Sequence, residues 1–194
     1  MSADKNEWPL MEEVFRAALT RAGAALSDVA CTNVSLRDFS LTYSPLHELP
    51  ELFGRPSTPV AASFFRVTGD LSGYLVFLIP VDEADRLLDN MLAYENVTPG
   101  LASSALGEIG NIVGSTFLNY VADTFQFRIL PSPPQVVRDM VGALMGTLAS
   151  ILAAEGIQKL LMIRTTWESE QHKLRSHLVW LPGTGQLERL GGLP

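Results

Sequence analysis

Three observations predict an α/β sandwich: a largely antiparallel sheet packed with long helices and built as two repeated halves. Two Ala- and Leu-rich stretches of helical spacing, 8–30 and 101–124, open halves that span about 8–95 and 98–190. Each half then carries a strand, a proline-rich break and a pair of strand-like runs, and ends in a helical segment. Alternating helices and short strands of this kind call for a sheet covered by helices. The chain of 194 residues is 47% hydrophobic and 18% charged, enough apolar content for a core in a single domain, 1–194.

In chain order, Trp8 to Ala30 is predicted helical, and Cys31 to Tyr43 alternates as a strand. Pro45, Pro50, Pro56 and Pro59 make 44–59 a connection with room for one short helical turn. Val60 to Val67 and Gly73 to Ile79 are two strands joined at Gly69-Asp70, a hairpin signal. A helix from Asp82 to Ala93 follows Pro80, and a polar linker runs to Gly100. In the second half, 101–124 is a long helix and 125–130 a short strand. Pro134 is placed to open the next helix, to about Glu155, because a first-turn position needs no backbone donor. Strands at 157–167 and 173–181 complete the repeat, with a short helix expected before Gly191-Gly192.

Charge and composition narrow the function. The net charge is −7, and the 14 Lys and Arg form no long run, so phosphate-neutralising nucleic-acid binding is disfavoured. No run approaches the ~18 apolar residues of a membrane span, so no membrane insertion is expected. The start MSADKNEWPLMEEVFR lacks the cationic and apolar blocks of a secretory signal. The one cysteine, Cys31, fits a reducing compartment, so the expected localisation is cytoplasmic. His172 and His177 differ by five positions and would face opposite sides of a strand, and with His47 they make no metal-ligand spacing. Trp8, Trp167 and Trp180 read as packing residues. There is no GxxxxGK[ST], GxGxxG or GxSxG, so neither a nucleotide site nor a serine nucleophile has support.

The chemistry concentrates on the helix that begins at 101. At 100° per residue, Ser104, Glu108, Asn111, Ser115 and Asn119 fall within an arc of about 80°. Leu106, Ile109, Ile112, Val113, Phe117 and Tyr120 cover the other side. Solvated helix faces usually carry paired Lys, Arg and Glu; here one carboxylate stands among amides and hydroxyls, with no Lys or Arg from 101 to 127. Gly107, Gly110 and Gly114 each cost about 1 kcal/mol against Ala in a helix interior, which close approach of another backbone would explain. Composition alone leaves two readings open: an ordinary surface stripe packed by a neighbouring helix, or a contact surface with chemistry.

The segment SALGEIGNIVGSTFLNYVAD, followed by LPSPPQVVRDMVGALMGTLAS, resembles the CheC, CheX and FliY family of chemotaxis phosphatases. That family carries Asp or Ser, three residues, Glu, two residues, Asn, twenty-two residues, then Pro, and Ser104, Glu108, Asn111 and Pro134 meet all four positions. PLHELPELFG and VTGDLSGYLVFLIP are similar to the family's intervening segments, so the resemblance runs from about 10 to about 182. It implies a CheC-like sandwich with an internal pseudo-twofold repeat. It also implies hydrolysis of the aspartyl phosphate of a CheY-like response regulator, whose own Mg²⁺ and lysine do most of the electrostatic work. Asn111 would then orient the attacking water, Glu108 would anchor the regulator's lysine, and Ser104 would support docking. Gly107 and Ser115 border the partner contact, and Pro134 shapes the start of the following helix. The chain would need no metal or cofactor of its own. A first copy of the motif, aligned on the first helix, reads Pro9, Glu13, Arg16 and Phe39; only Glu13 is kept, so one working site is expected. The alternative within the family is a non-catalytic adaptor that binds CheD or the flagellar switch.

Overall fold

The structure is a computed structural model that describes residues 8–92, 98–169 and 174–183. Its element order is α1 (Trp8–Ala30), β1 (Ser35–Pro45), a 3-10 turn (Leu46–Glu51), β2 (Pro59–Gly69), β3 (Gly73–Pro80) and α2 (Val81–Met91), then α3 (Pro99–Phe125), β4 (Ile129–Pro131), β5 (Gln135–Met140), α4 (Val141–Ala154), β6 (Lys159–Ser169) and β7 (Leu174–Pro182). The strands form one antiparallel sheet in the order β1-β6-β7-β3-β2-β4, with β5 also paired to β2. His172 and the short helix expected before Gly191-Gly192 lie outside the described residues.

The expected pseudo-twofold repeat is visible in that order. The β2-β3 hairpin of the first half meets the β6-β7 hairpin of the second at β3-β7, the centre of the sheet. Each half then sends its early strand across to the other: β1 pairs with β6, and β5 pairs with β2. Strand alternation sorts the core into two layers. Ala61, Phe65, Val67, Leu75, Phe77, Ile163 and Trp180 face α1 and α3, whereas Val60, Ala62, Val76, Leu78, Met162 and Val179 face α4 and the 3-10 turn. Phe15 of α1 and Phe117 of α3 both meet the Trp180 ring edge-on, at centroid distances of 5.8 and 5.6 Å. Trp167 and Trp180 are fully buried, as their packing role requires.

The Gly69-Asp70 hairpin also fixes the later chain. Asp70 N–H donates to Arg128 O, and Arg128 N–H donates to the Asp70 carboxylate, both at 2.8 Å. Gly69 has φ 112°, and a Cβ there would stand 2.1 Å from Arg128 O, so only glycine fits. This clasp sets β4 beside β2.

Two expectations need correction. The strand placed at 125–130 is shorter and later: α3 runs to Phe125, Gln126 caps it in the left-handed region, and β4 covers only Ile129–Pro131. Pro134 does not open a helix. It precedes β5, which takes the free edge of β2 from Pro59↔Met140 to Phe64↔Gln135. A proline tolerated at a helix start is equally tolerated at a strand start, and an unfilled sheet edge decides between them. The helix begins instead at Val141, where Val141 N–H and Gly142 N–H donate to Thr58 O and Pro56 O at 2.9 Å.

Candidate functional site

Helix α3 begins cleanly. The Thr98 side chain accepts from Leu101 N–H at 3.2 Å, and Pro99 occupies the first turn. Its buried face is Leu106, Ile109, Val113, Phe117 and Val121. The three glycines share that side, and the element that approaches them is the chain's own sheet. A Cβ on Gly110 would lie 2.5 Å from Ser63 Cβ of β2, and one on Gly114 would lie 2.9 Å from Leu75 Cδ2 of β3. The helix backbone therefore rests close enough for Ser63 Oγ to donate to Leu106 O at 3.1 Å in the buried interface. The glycines are thus explained without a visiting protein.

The opposite side of the helix carries the polar stripe. Ser104, Glu108 and Asn119 are exposed, and Asn111 and Ser115 are half-buried. Glu108 makes no ion pair among the described residues, so its carboxylate is free to meet an outside cation. Ser115 Oγ donates to Asn111 Oδ1 at 3.4 Å, a long bond that biases the amide orientation. The Oδ1 atom keeps a second lone pair, and the Nδ2 group keeps its donors.

Beside the stripe runs an open groove of about 800 Å³ between α3 and the chain that leads into β5. Ser104, Glu108 and Asn111 form one wall, and Pro131 to Pro134 form the other. A Cβ on Gly107 would touch Val136 Cγ2 at 3.3 Å and Pro134 Cγ at 3.6 Å. Gly107, expected at a partner contact, is therefore buried in the groove floor, where it lets the second wall close on the helix. Pro134 is brought to Glu108 and Asn111 by the pairing of β5, although 22 residues separate it from Asn111 in the chain. Ser103, Ser132 and Val136 also line the groove and carried no signal in the sequence. Ser103 comes with α3 itself, Ser132 is held by hydrogen bonds to the Arg66 backbone, and Val136 is placed by the β5 register.

The first-half copy of the motif is differently arranged. Glu13 and Arg16 are exposed on α1, and the Arg16 guanidinium sits 5.1 Å from the Phe39 ring centroid. The two positions that would correspond to Asn111 and Pro134 are thus engaged with each other.

The described histidines take no part in the groove. His47 is exposed on the 3-10 turn. His177 lies on the other face of the sheet, 3.1 Å from Thr166 Oγ1 through Nδ1 and edge-on to Phe53. Burial, reinforced by Arg164 and Arg175, lowers its pKa from 6.5 to about 4. The unfolded chain therefore binds the extra proton between these values, so this contribution to stability is complete above pH 6.5 and is lost as pH falls. Relative to His177→Gln, the wild type should lose about 2 kcal/mol between pH 7 and pH 5, measured by urea denaturation at both pH values. An unchanged difference would refute the buried neutral imidazole.

Similarity to known proteins agrees with this arrangement. Residues 101–138, which hold most of α3, nearly all of the groove lining and the first part of β5, match the CheC-like family model. Over 193 residues the chain is 25% identical to the CheY-P phosphatase CheC of Bacillus subtilis (strain 168), covering 96% of this chain and 92% of that protein. The fold is similar to Thermotoga maritima FliY, with a TM-score of 0.69 at 14% identity over 98% of this chain and 96% of that one. It is also similar to CheX in the CheX-CheY-BeF3-Mg complex from Borrelia burgdorferi, with a TM-score of 0.58 at 14% identity over 87% and 96% of the two chains. No helix among the described residues is long and apolar enough to cross a membrane. The likeness to the CheC, CheX and FliY family first drawn from Ser104, Glu108, Asn111 and Pro134 is therefore borne out, by the family model over the motif and by whole-chain similarity in sequence and fold.

Proposed function

We propose that this chain is a phosphatase that hydrolyses the aspartyl phosphate of a CheY-like response regulator. The observation that carries the proposal is the presentation of an exposed Glu108 and a half-buried Asn111 on one ridge, one turn apart, beside an open groove. Helix α3 enters the regulator's active site. Asn111 accepts a hydrogen bond from water through Oδ1 and holds that water in line with the phosphorus and the departing aspartyl oxygen. The amide is neutral, so it approaches the phosphoryl group without the repulsion a carboxylate would meet. Water attacks phosphorus, the P–O bond to the aspartate breaks, and inorganic phosphate and free carboxylate result. The regulator supplies the Mg²⁺ and the lysine that stabilise the charge, and Glu108 pairs with that lysine to fix the docking geometry. Ser104, one turn before Glu108, supports docking.

The test is phosphate release from a phosphorylated CheY-like regulator with and without the protein. Acceleration supports the proposal; none at saturating protein removes it. Regulator binding or CheD binding without turnover would leave the chain an adaptor. Glu108→Gln keeps the shape and removes the charge, and should raise KM by about tenfold with a smaller effect on kcat. A Glu108→Gln variant with unchanged KM would refute the anchoring role.

A further inference from the structure

The groove does not end at Ser104. Ser103 and Val136 also wall a second hollow of about 580 Å³, bounded by Asp85 and Asp89 of α2, Thr98 at the start of α3, and Arg138 of β5. From Asn111 back to Pro99 the helix spans about 18 Å, so the two hollows make one trench along the first half of α3.

The charges in this trench are unequal. Arg138 Nη1 lies 2.7 Å from Asp85 Oδ1, so the guanidinium that lines the second hollow among the described residues is already neutralised. Asp89 is exposed and makes no ion pair among the described residues, and neither does Glu108. Each end of the trench thus presents an uncompensated carboxylate. A cationic side chain is favoured beside each of these carboxylates, and an anionic side chain is disfavoured at Asp89.

We propose that the second hollow continues the docking surface for the response regulator, and that Asp89 receives a basic side chain of that regulator outside its active site. The inference rests on the phosphatase reading, because it needs the regulator's acyl phosphate at Asn111. A stable contact takes about 800 Å² from each partner, far more than Glu108 and Asn111 offer, so a regulator seated there must cover neighbouring surface. The trench is the surface continuous with the site, and its charge selects the partner. Asp89 acts on recognition alone, because the length of α3 between Pro99 and Asn111 separates its hollow from the chemistry. A regulator with an acidic residue at the facing position would be rejected.

Steady-state hydrolysis of one CheY-like regulator, phosphorylated with acetyl phosphate, tests this. Asp89→Lys should raise KM at least fivefold and leave kcat within twofold of wild type. Asp89→Asn should raise KM less and weaken its dependence on salt. Glu48→Lys, an equal charge change on the exposed 3-10 turn of the opposite layer, should leave KM unchanged. Thermal melts should show all three variants folded. Wild-type turnover with an unchanged KM in Asp89→Lys overturns this inference and leaves the phosphatase reading intact. An equal rise in Glu48→Lys also overturns it, because the effect would then be net charge. Absence of wild-type turnover removes both.

Discussion

Asn111→Ala should lower the rate of regulator dephosphorylation by about 10²–10³-fold at saturating protein, while the melting temperature stays within a few degrees of wild type. The reasoning lies in what the side chain does and does not hold together. Asn111 is half-buried, and its one side-chain partner among the described residues is Ser115 at 3.4 Å. Removing the amide should therefore cost the fold little, whereas under the proposed mechanism the attacking water would lose the group that aligns it. Under that mechanism the regulator's own metal and lysine would remain, so a residual slow rate should persist. Asn111→Asp is the sharper control, because it keeps the size and an acceptor but adds a negative charge beside the phosphoryl group. It should be no more active than the alanine variant. Full activity in Asn111→Ala, measured by phosphate release, would mean that water is positioned elsewhere.

Gly110→Ala should unfold the protein more easily by about 1–3 kcal/mol, measured by denaturant titration, although alanine is the better helix former by about 1 kcal/mol. A methyl at 110 would meet Ser63 Cβ at 2.5 Å and Ser63 Oγ at 2.6 Å. The Cβ contact belongs to a sheet residue with no room to swing away, so the helix must lift from β2. Lifting it also stretches the 3.1 Å bond from Ser63 Oγ to Leu106 O, in a place where water cannot replace the lost partner. The same displacement moves Glu108 and Asn111 relative to Pro134, so kcat should fall as well. Gly146→Ala is the matched control: no atom of another described residue lies within 4 Å of a Cβ there, and it should stabilise. A Gly110→Ala variant as stable as wild type would show that α3 does not depend on that close approach.

The motif helix was legible because its information is local. Spacing at 100° per residue separates Glu108 and Asn111 from Ile109 and Val113 whatever the rest of the chain does, and the structure places them on opposite sides. The first and last hairpins were legible for the same reason, through alternation and the Gly69-Asp70 turn. What could not be read was the strand β5. The sequence Gln135 to Met140 has no strong alternation, and the prolines before it suit a helix start as well as a strand start. Its state is set by the vacant edge of β2, more than 60 residues earlier in the chain. The second wall of the groove was missed with it: Val136 reaches the site through that pairing, and Ser132 through its hydrogen bonds to the Arg66 backbone of β2. The glycines were half-read. Their cost demanded a close neighbour, but only the packed sheet shows that Ser63 and Leu75 are what they admit.

The crossing of β1 to β6 and of β5 to β2 makes the halves mutually templating. Neither could close its own sheet if synthesised alone, and the groove's second wall cannot form until the N-terminal hairpin exists to receive it. Such distant pairings carry a large loop-closure penalty before they gain anything, so assembly is expected to be slow and all-or-none. The arrangement also gives the N-terminal half a task that asks nothing of Glu13 or Arg16: it serves as the mould on which the half carrying Glu108 and Asn111 is cast.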